Sequence, residues 1–127
     1  MIIIEFLGRI FLSAIFLIEG VSKIFNYEGT VAYMENYGVP ALFYIPAIIV
    51  EIVFPLLILV GYQTKISALI MGIFSISLAI IFHTDFDNQM QLISFLKNFA
   101  IAGGFLILFV NGPSLWSLDH VLSSKAK

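Results

Sequence analysis

Six charged residues lie inside the apolar runs of this chain, where lipid or packed protein would surround them. A charge in the middle of a bilayer costs at least about 2.5 kcal/mol, so such residues usually face protein or water and serve a function. Three of the six are acidic and three are basic, so the set can neutralise itself inside the folded protein. The six are Glu5, Arg9, Glu19, Lys23, Glu51 and Lys97.

The first apolar run carries its charges at helical spacing. Glu5 and Arg9 are four residues apart, with the acid first, which is the better order for an ion pair on a helix. Glu19 and Lys23 repeat the arrangement. Because positions three and four apart share one helix face, the spacing predicts a polar stripe that carries both pairs. The pairs either neutralise each other as a structural feature or belong to a binding site.

Glu51 has no basic residue three or four positions away. It falls midway along the second apolar run, so it must be protonated or paired with another helix, and Arg9 and Lys97 are the candidate partners. Pro46 and Pro55 flank it and each removes a backbone donor, which predicts a kink around the acid. A clamp between helices is one interpretation. A catalytic role in proton transfer is the other, and it is the one we favour.

Two further positions carry side chains suited to a ligand. Lys97 lies at the same predicted depth as Glu19, so these opposite charges are expected to pair. His83 ends the third apolar run, where it could hydrogen-bond a quinone, relay a proton, ligate a haem or metal, or only bond a loop. Its spacing with nearby acids is weak evidence for a metal site, so we predict no metal. The predicted ligand-binding residues, here called the polar cluster, are Glu19, Lys23, His83, Lys97 and Asn98.

Composition places the chain among membrane proteins. Of its 127 residues, 61% are hydrophobic and 11% are charged, and the mean hydropathy is +1.06. The net charge of −2 argues against nucleic-acid binding, which rests on neutralising phosphates. Because the chain has no cysteine, it cannot exchange disulfides or hold a thiolate-bound iron–sulfur cluster or a covalently attached haem. No covalently bound cofactor is therefore expected.

Four apolar runs are each long enough to cross about 30 Å of hydrocarbon as a helix. They occupy about 3–25, 41–61, 66–83 and 93–111. The first lacks the basic start and cleavage pattern of a signal peptide, so we expect it to be retained as a span. These runs predict an all-α fold, an integral membrane four-helix bundle that forms one domain over residues 1–127.

The loops predict an orientation for this bundle. Both chain ends and the turn at 62–65 fall on one side, together with Lys65, Lys125 and Lys127. Lysine and arginine favour cytoplasmic loops, which predicts that both termini are inside. The connection 26–40 holds three tyrosines, which suit the headgroup level, so we expect an interfacial loop or short helix there. The polar cluster would then lie in the outer half of the bundle.

These polar positions resemble the motifs of the DoxX family over nearly the whole chain. The first three runs carry Gly8, Arg9, Phe16, Gly20 and Lys23, then Glu51 and Gly61, then His83. The fourth holds the most recognisable stretch, FLKNFAIAGG at 95–104, with Ser117, Leu118 and Asp119 after it. The resemblance implies a four-helix protein of the bacterial inner membrane. Relatives include small subunits of thiosulfate:quinone oxidoreductase and proteins associated with redox complexes.

The leading functional hypothesis is a small membrane subunit of, or accessory protein to, a quinone-linked redox complex. The polar cluster would contact a quinone head group or a redox partner. One alternative is a structural or assembly protein whose ion pairs fix helix register. Another is a small proton-coupled transporter that acts as an oligomer around Glu51. The chain has no evident electron carrier, so it is expected to be at most a co-catalytic subunit. Its expected partners are lipid and either redox-complex subunits or further copies of itself.

Overall fold

The computed structural model describes residues 2–126, and every regular element within that range is helical. The predicted all-α class is therefore confirmed. Lys127, one of the three lysines behind the orientation prediction, lies outside the described residues. The elements are α1 (Ile2–Ile24), α2 (Tyr27–Asn36), a 3₁₀ helix (Ala41–Phe43), α3 (Tyr44–Val60), α4 (Thr64–Phe82), α5 (Gln89–Asn111) and α6 (Leu118–Ala126).

Three helical segments in the described part of the chain are long and apolar enough to cross a membrane. They are Ala41–Val60, Thr64–Phe82 and Gln89–Asn111. These correspond to the predicted second, third and fourth spans, with small shifts at their ends. α1 is as long as α5, at 23 residues, but it carries four charged residues, whereas each of these three carries one. Its place as a fourth span stays a prediction.

The four long helices pack as two joined pairs. α1 packs along α3, α4 packs along α5, and contact between α3 and α4 joins the pairs. α1 and α5 touch each other far less, so the ring of four helices is weakest between them. Helix association within lipid rests on close packing and polar contacts rather than on burial from water. The packed centre consists of Phe16, Ile58, Ala68, Met71, Phe105 and Leu108.

A tight turn at Gly61 makes α3 and α4 antiparallel neighbours. Gly61 has φ +76°, and its N–H and that of Tyr62 both bond the Leu57 carbonyl, at 2.8 and 2.9 Å. Glycine adopts this left-handed conformation without a Cβ clash. A Cβ at Gly61 would also lie 2.8 Å from the backbone of Ser117. The position therefore requires glycine both for its φ and for the close approach of the C-terminal segment.

Arg9 fastens the end of the bundle that holds both chain termini, here called the terminal end. Its side chain is 1% exposed and pairs with Glu5 at 2.9 Å, which confirms that predicted ion pair. It also donates to the Ile58 and Leu59 carbonyls, at 3.0 and 3.2 Å, and to the Trp116 carbonyl. Carbonyls in the last turn of a helix lack partners within that helix. The guanidinium satisfies those of α3, so this pair serves the fold.

Asp119 caps α4 from the C-terminal segment. Its carboxylate accepts hydrogen bonds from the N–H groups of Gln63 and Thr64, at 2.7 and 2.8 Å. Its own N–H donates to the Gly61 carbonyl at 2.7 Å. A carboxylate at a helix N-terminus satisfies free N–H groups and complements the helix dipole. The start of α6 is thus fixed beneath the turn between α3 and α4.

Candidate functional site

A cavity of about 900 Å³ lies in the half of the bundle nearer α2, and the end of the bundle on that side is here called the α2 end. Its wall is mostly apolar, with Ile15, Val50, Phe74 and Ile101 among the residues that line it. A concave apolar volume of this size with a few polar groups is typical of small-molecule sites. The structure places every member of the polar cluster on this cavity, together with Glu51. Glu5 and Arg9 do not line it.

Lys23 and Glu51 form an ion pair on the wall of this cavity. The ammonium lies 3.0 and 2.9 Å from the two carboxylate oxygens. The Glu51 side chain is fully buried, whereas that of Lys23 is 33% exposed. A lone carboxylate in such surroundings would be strongly unfavourable, so Lys23 supplies the compensating charge. Of the two, Lys23 is the group that remains accessible from the cavity.

The predicted partners of Glu51, Arg9 and Lys97, are both wrong. Arg9 is held at the terminal end by backbone carbonyls. Lys23 reaches Glu51 because α1 and α3 approach closely at Gly20. A Cβ at Gly20 would lie 3.6 Å from the Glu51 side chain and closer still to the neighbouring residue of α3. The missing side chain of Gly20 therefore allows the approach that brings Lys23 to Glu51.

The predicted pairs of Glu19 with Lys23 and with Lys97 are also wrong. Among the described residues, the ion pairs within 4.0 Å are Arg9–Glu5 and Lys23–Glu51. Lys23 turns to the fully buried carboxylate, which gains more from a counter-charge than the exposed Glu19 does. Lys97 is exposed as well, and the weak contact between α1 and α5 keeps the two charges apart. Both ions are therefore available to a ligand.

Pro55 frees a backbone acceptor beside the ion pair. α3 continues as one helix through Pro55, which has no N–H to bond the carbonyl of Glu51. Pro46 lies in the first turn of α3, where a missing N–H is better tolerated. The chain around Glu51 thus offers a carbonyl without its helical partner as well as a buried charge. The predicted kink at this point stays a prediction.

His83 belongs to a hydrogen-bonded chain that links three helices at the α2 end. Its Nδ1 lies 3.3 Å from Oε1 of Gln91, and Nε2 of Gln91 donates to the Tyr37 hydroxyl at 3.3 Å. Gln91 is itself positioned by Asn88, whose side chain caps α5 by accepting from the backbone N–H groups of Met90 and Gln91. Both His83 and Tyr37 line the cavity, so this chain orients the His83 ring within its wall.

Asn98 presents its amide oxygen as a possible acceptor at the cavity. Its Nδ2 donates to the Ser94 carbonyl at 3.0 Å, which is a bond within α5. Lys97, next to it, has no hydrogen-bond partner among the described residues, so its ammonium is a free donor at the cavity. Within residues 2–126, no group of three His, Cys, Asp or Glu side chains is placed to hold a metal ion. The site is equipped for hydrogen bonds and charge.

Aromatic residues of α2 form a further wall of the cavity that the sequence reasoning missed. Tyr33 stacks on Phe82 with ring centroids 5.3 Å apart, and Tyr37 meets the same ring edge-on at 5.3 Å. Burial, together with the neighbouring Tyr37, raises the pKa of Tyr33 above its ordinary value, so its hydroxyl stays protonated. A short helix within 26–40 is confirmed. Its tyrosines were assigned only to the headgroup level, because their spacing gives no sign of contact with α4.

The order of these residues along the chain matches a known family. The sequence profile of the DoxX family covers residues 4–84, which includes Glu19, Lys23, Glu51 and His83. The chain belongs to the DoxX family. Among DoxX-like relatives, it is 37% identical to the inner membrane protein YqjF of Escherichia coli K12 over 118 residues, which is 93% of this chain and 91% of that protein.

A second relative agrees with this assignment. The chain is 35% identical to the inner membrane protein YphA of the same organism over 121 residues, which covers 90% of this chain and 86% of that protein. No solved structure matches the chain. The relatives are inner membrane proteins and three helices here are able to span a membrane. This DoxX protein is therefore a multi-pass protein of the bacterial inner membrane.

Proposed function

We propose that this DoxX protein binds the head group of a quinone in its cavity and serves as a small membrane subunit of, or accessory protein to, a redox complex. The observation that carries the proposal is the gathering of the polar cluster and Glu51 on one mostly apolar cavity. A quinone ring has an apolar body that suits such a wall. Its two carbonyl oxygens need donors, and the cavity supplies two ammonium groups and an imidazole.

Each polar group has a proposed task. The free ammonium of Lys97 donates to one quinone oxygen, and a charge-assisted hydrogen bond of this kind is stronger than a neutral one. Reduction of a quinone to a quinol takes up two electrons and two protons. The electrons come from a redox partner in this proposal, and Glu51 and His83 are the groups that hold or pass the protons. Lys23 keeps the charge of Glu51 balanced between proton transfers.

The direct test is purification in mild detergent followed by extraction and identification of bound quinone. Quinone is expected to co-purify with the wild-type protein. Lys97→Met should weaken binding of an added tailless benzoquinone by about ten-fold, as expected for loss of one charge-assisted hydrogen bond. Lys125→Met is the matched control, because this exposed lysine lies in α6 at the terminal end. Binding of the benzoquinone by this variant should be unchanged. A wild-type protein that carries no co-purified quinone and shows no measurable quinone binding would exclude the proposal.

A second test concerns the proton role of Glu51. Glu51→Gln keeps a hydrogen-bonding side chain but removes the exchangeable acid, so the protein should still fold and bind quinone. Turnover of the complex that contains it should be lost, and infrared difference spectra on reduction should lose a carboxyl band. A fully active Glu51→Gln complex would leave Glu51 with a structural role only.

A further inference from the structure

The seam between α1 and α5 is closed along the terminal half of the bundle. A Cβ at Gly104 of α5 would lie 3.1 Å from the Leu12 side chain of α1, so the two helices are in contact there. One turn farther along α1, the rings of Phe16 and Phe105 have centroids 5.9 Å apart. These apolar contacts leave no passage between the helices at that level.

The same seam is not closed along the half nearer α2. The next residue on this face of α1 is Glu19, and the corresponding residue of α5 is Lys97, one turn beyond Ile101. Both charged side chains line the cavity, both are exposed, and they form no ion pair with each other. Because α1 and α5 make few contacts in total, the side of the cavity between Glu19 and Lys97 is its most loosely packed.

α2 packs over the cavity at the α2 end. Met34 of α2 is buried at 7% exposure, and Tyr33 and Tyr37 pack against Phe82 of α4. On the opposite side, the Tyr44 hydroxyl donates to the Lys23 carbonyl at 2.7 Å and ties the start of α3 to the end of α1. A ligand that enters through the seam moves in the plane of the membrane, from the hydrocarbon region into the cavity.

We infer that the cavity opens laterally to lipid through the α1–α5 seam, with Glu19 and Lys97 at the two sides of the mouth. Its ligand is then a membrane-resident amphiphile, with the head group among the polar cluster and a long apolar tail that leaves between these two residues. The inference rests on the proposed function for the chemistry of the head group alone. The tail stays among acyl chains, so binding does not transfer it to water. The two charges ease passage of a polar head group through the mouth.

The absence of cysteine makes a clean cross-linking test possible. Glu19→Cys/Lys97→Cys is reconstituted in lipid nanodiscs and bridged with a bis-maleimide. Binding is then titrated with a tailless dimethoxy-methyl-benzoquinone and with its decyl derivative, both expressed as concentration in lipid. The unbridged form of the same variant controls for the loss of the two charges. Bridged Leu12→Cys/Gly104→Cys is the matched control for the reagent, because the seam is already closed there.

Bridging positions 19 and 97 should weaken binding of the decyl derivative by at least about ten-fold, because the tail loses its path into lipid. Binding of the tailless probe by the bridged form should stay within about two-fold of its binding by the unbridged form of the same variant. Unchanged binding of the decyl derivative would overturn the lateral mouth and leave the proposed function intact. No binding of either probe by the unmodified protein would overturn the proposed function and this inference with it.

A second measurement needs no substitution. A decyl derivative with a photoreactive diazirine at the end of its tail is bound to the unmodified protein and activated by light. Labelling is expected on the lipid-facing flanks of the seam, at Ile18 of α1 and Leu96 of α5, which are 70% and 57% exposed. Labelling confined to α2 and the start of α3 would show that the tail leaves by the other end, and would overturn the inference.

Discussion

Lys23 of α1 holds both carboxylate oxygens of Glu51 of α3, at 3.0 and 2.9 Å, and so joins the candidate site to the fold. The close approach of the two helices at Gly20 brings the residues within reach. The same lysine accepts a hydrogen bond from the Tyr44 hydroxyl through its backbone carbonyl. A change at this pair therefore affects both helix packing and the polar groups offered to a ligand.

Removing the lysine should be more damaging than neutralising the acid. Lys23→Met leaves a fully buried carboxylate without its counter-charge and should lower the free energy of unfolding by roughly 1–3 kcal/mol. Glu51→Gln should lower it less, since the amide keeps a hydrogen bond and Lys23 is partly exposed. Lys23→Met/Glu51→Leu should recover part of the loss. Chemical unfolding in mild detergent, followed by circular dichroism, measures all three.

Glu19 and Lys97 are the control for this experiment. The sequence predicts an ion pair between them, and the structure does not contain it. Glu19→Gln and Lys97→Met should have effects that add to within about 0.5 kcal/mol, as expected for residues without a shared contact. Strong coupling between Glu19 and Lys97, with none between Lys23 and Glu51, would show that the ion pairs are arranged differently from those described.

Arg9 should be the charged residue whose loss most disturbs the terminal end. Arg9→Met leaves the carbonyls of Leu59 and Trp116 without a donor and should cost about 3–5 kcal/mol of stability. Glu5→Gln is the milder matched change, at about 0.2–1 kcal/mol, because Glu5 is partly exposed. Trp116 is the chain's one tryptophan, so its fluorescence reports this end directly. Equal effects of the two substitutions would contradict a central role for the guanidinium.

Two glycines should respond to alanine in opposite ways. Gly61→Ala meets both a left-handed φ and the backbone of Ser117, and should destabilise the protein by about 1–3 kcal/mol. Gly103→Ala lies in α5 with nothing within 4 Å of the added Cβ, and should be neutral or stabilising by up to about 1 kcal/mol. Thermal unfolding of the two variants side by side checks this. A tolerated Gly61→Ala would mean that the turn can take another conformation.

The orientation prediction can be tested by labelling. Asp87→Cys should react with a membrane-impermeant maleimide in intact cells, because 87 lies in the loop between α4 and α5 at the α2 end. Lys125→Cys should react only after permeabilisation, because α6 lies at the terminal end, which the lysine distribution predicts to be cytoplasmic. The reverse labelling pattern would show that the protein has the opposite orientation in the membrane, with the same fold.

Much of the architecture could be predicted because it is set locally. Long apolar runs separated by Gly, Pro and polar residues give helices whose ends fall close to the predicted ones. The Glu5–Arg9 pair could be predicted because four residues make one turn of helix, so its geometry needs nothing outside α1. The residue types of the candidate site stand out as charges within apolar runs, and they do line one cavity.

Contacts between helices could not be predicted in the same way. Sequence spacing places Lys23 beside Glu19 on one face of α1. In the structure, α1 approaches α3 closely at Gly20, and Lys23 pairs with Glu51 of α3 instead. The link from Gln91 to Tyr37, and the cap that Asp119 places on α4, join segments more than fifty residues apart. The helices and the charges they carry follow from local sequence patterns. Which charges meet follows from the packing of the helices, because pairing across helices depends on their relative rotation and depth, which spacing along one chain does not encode.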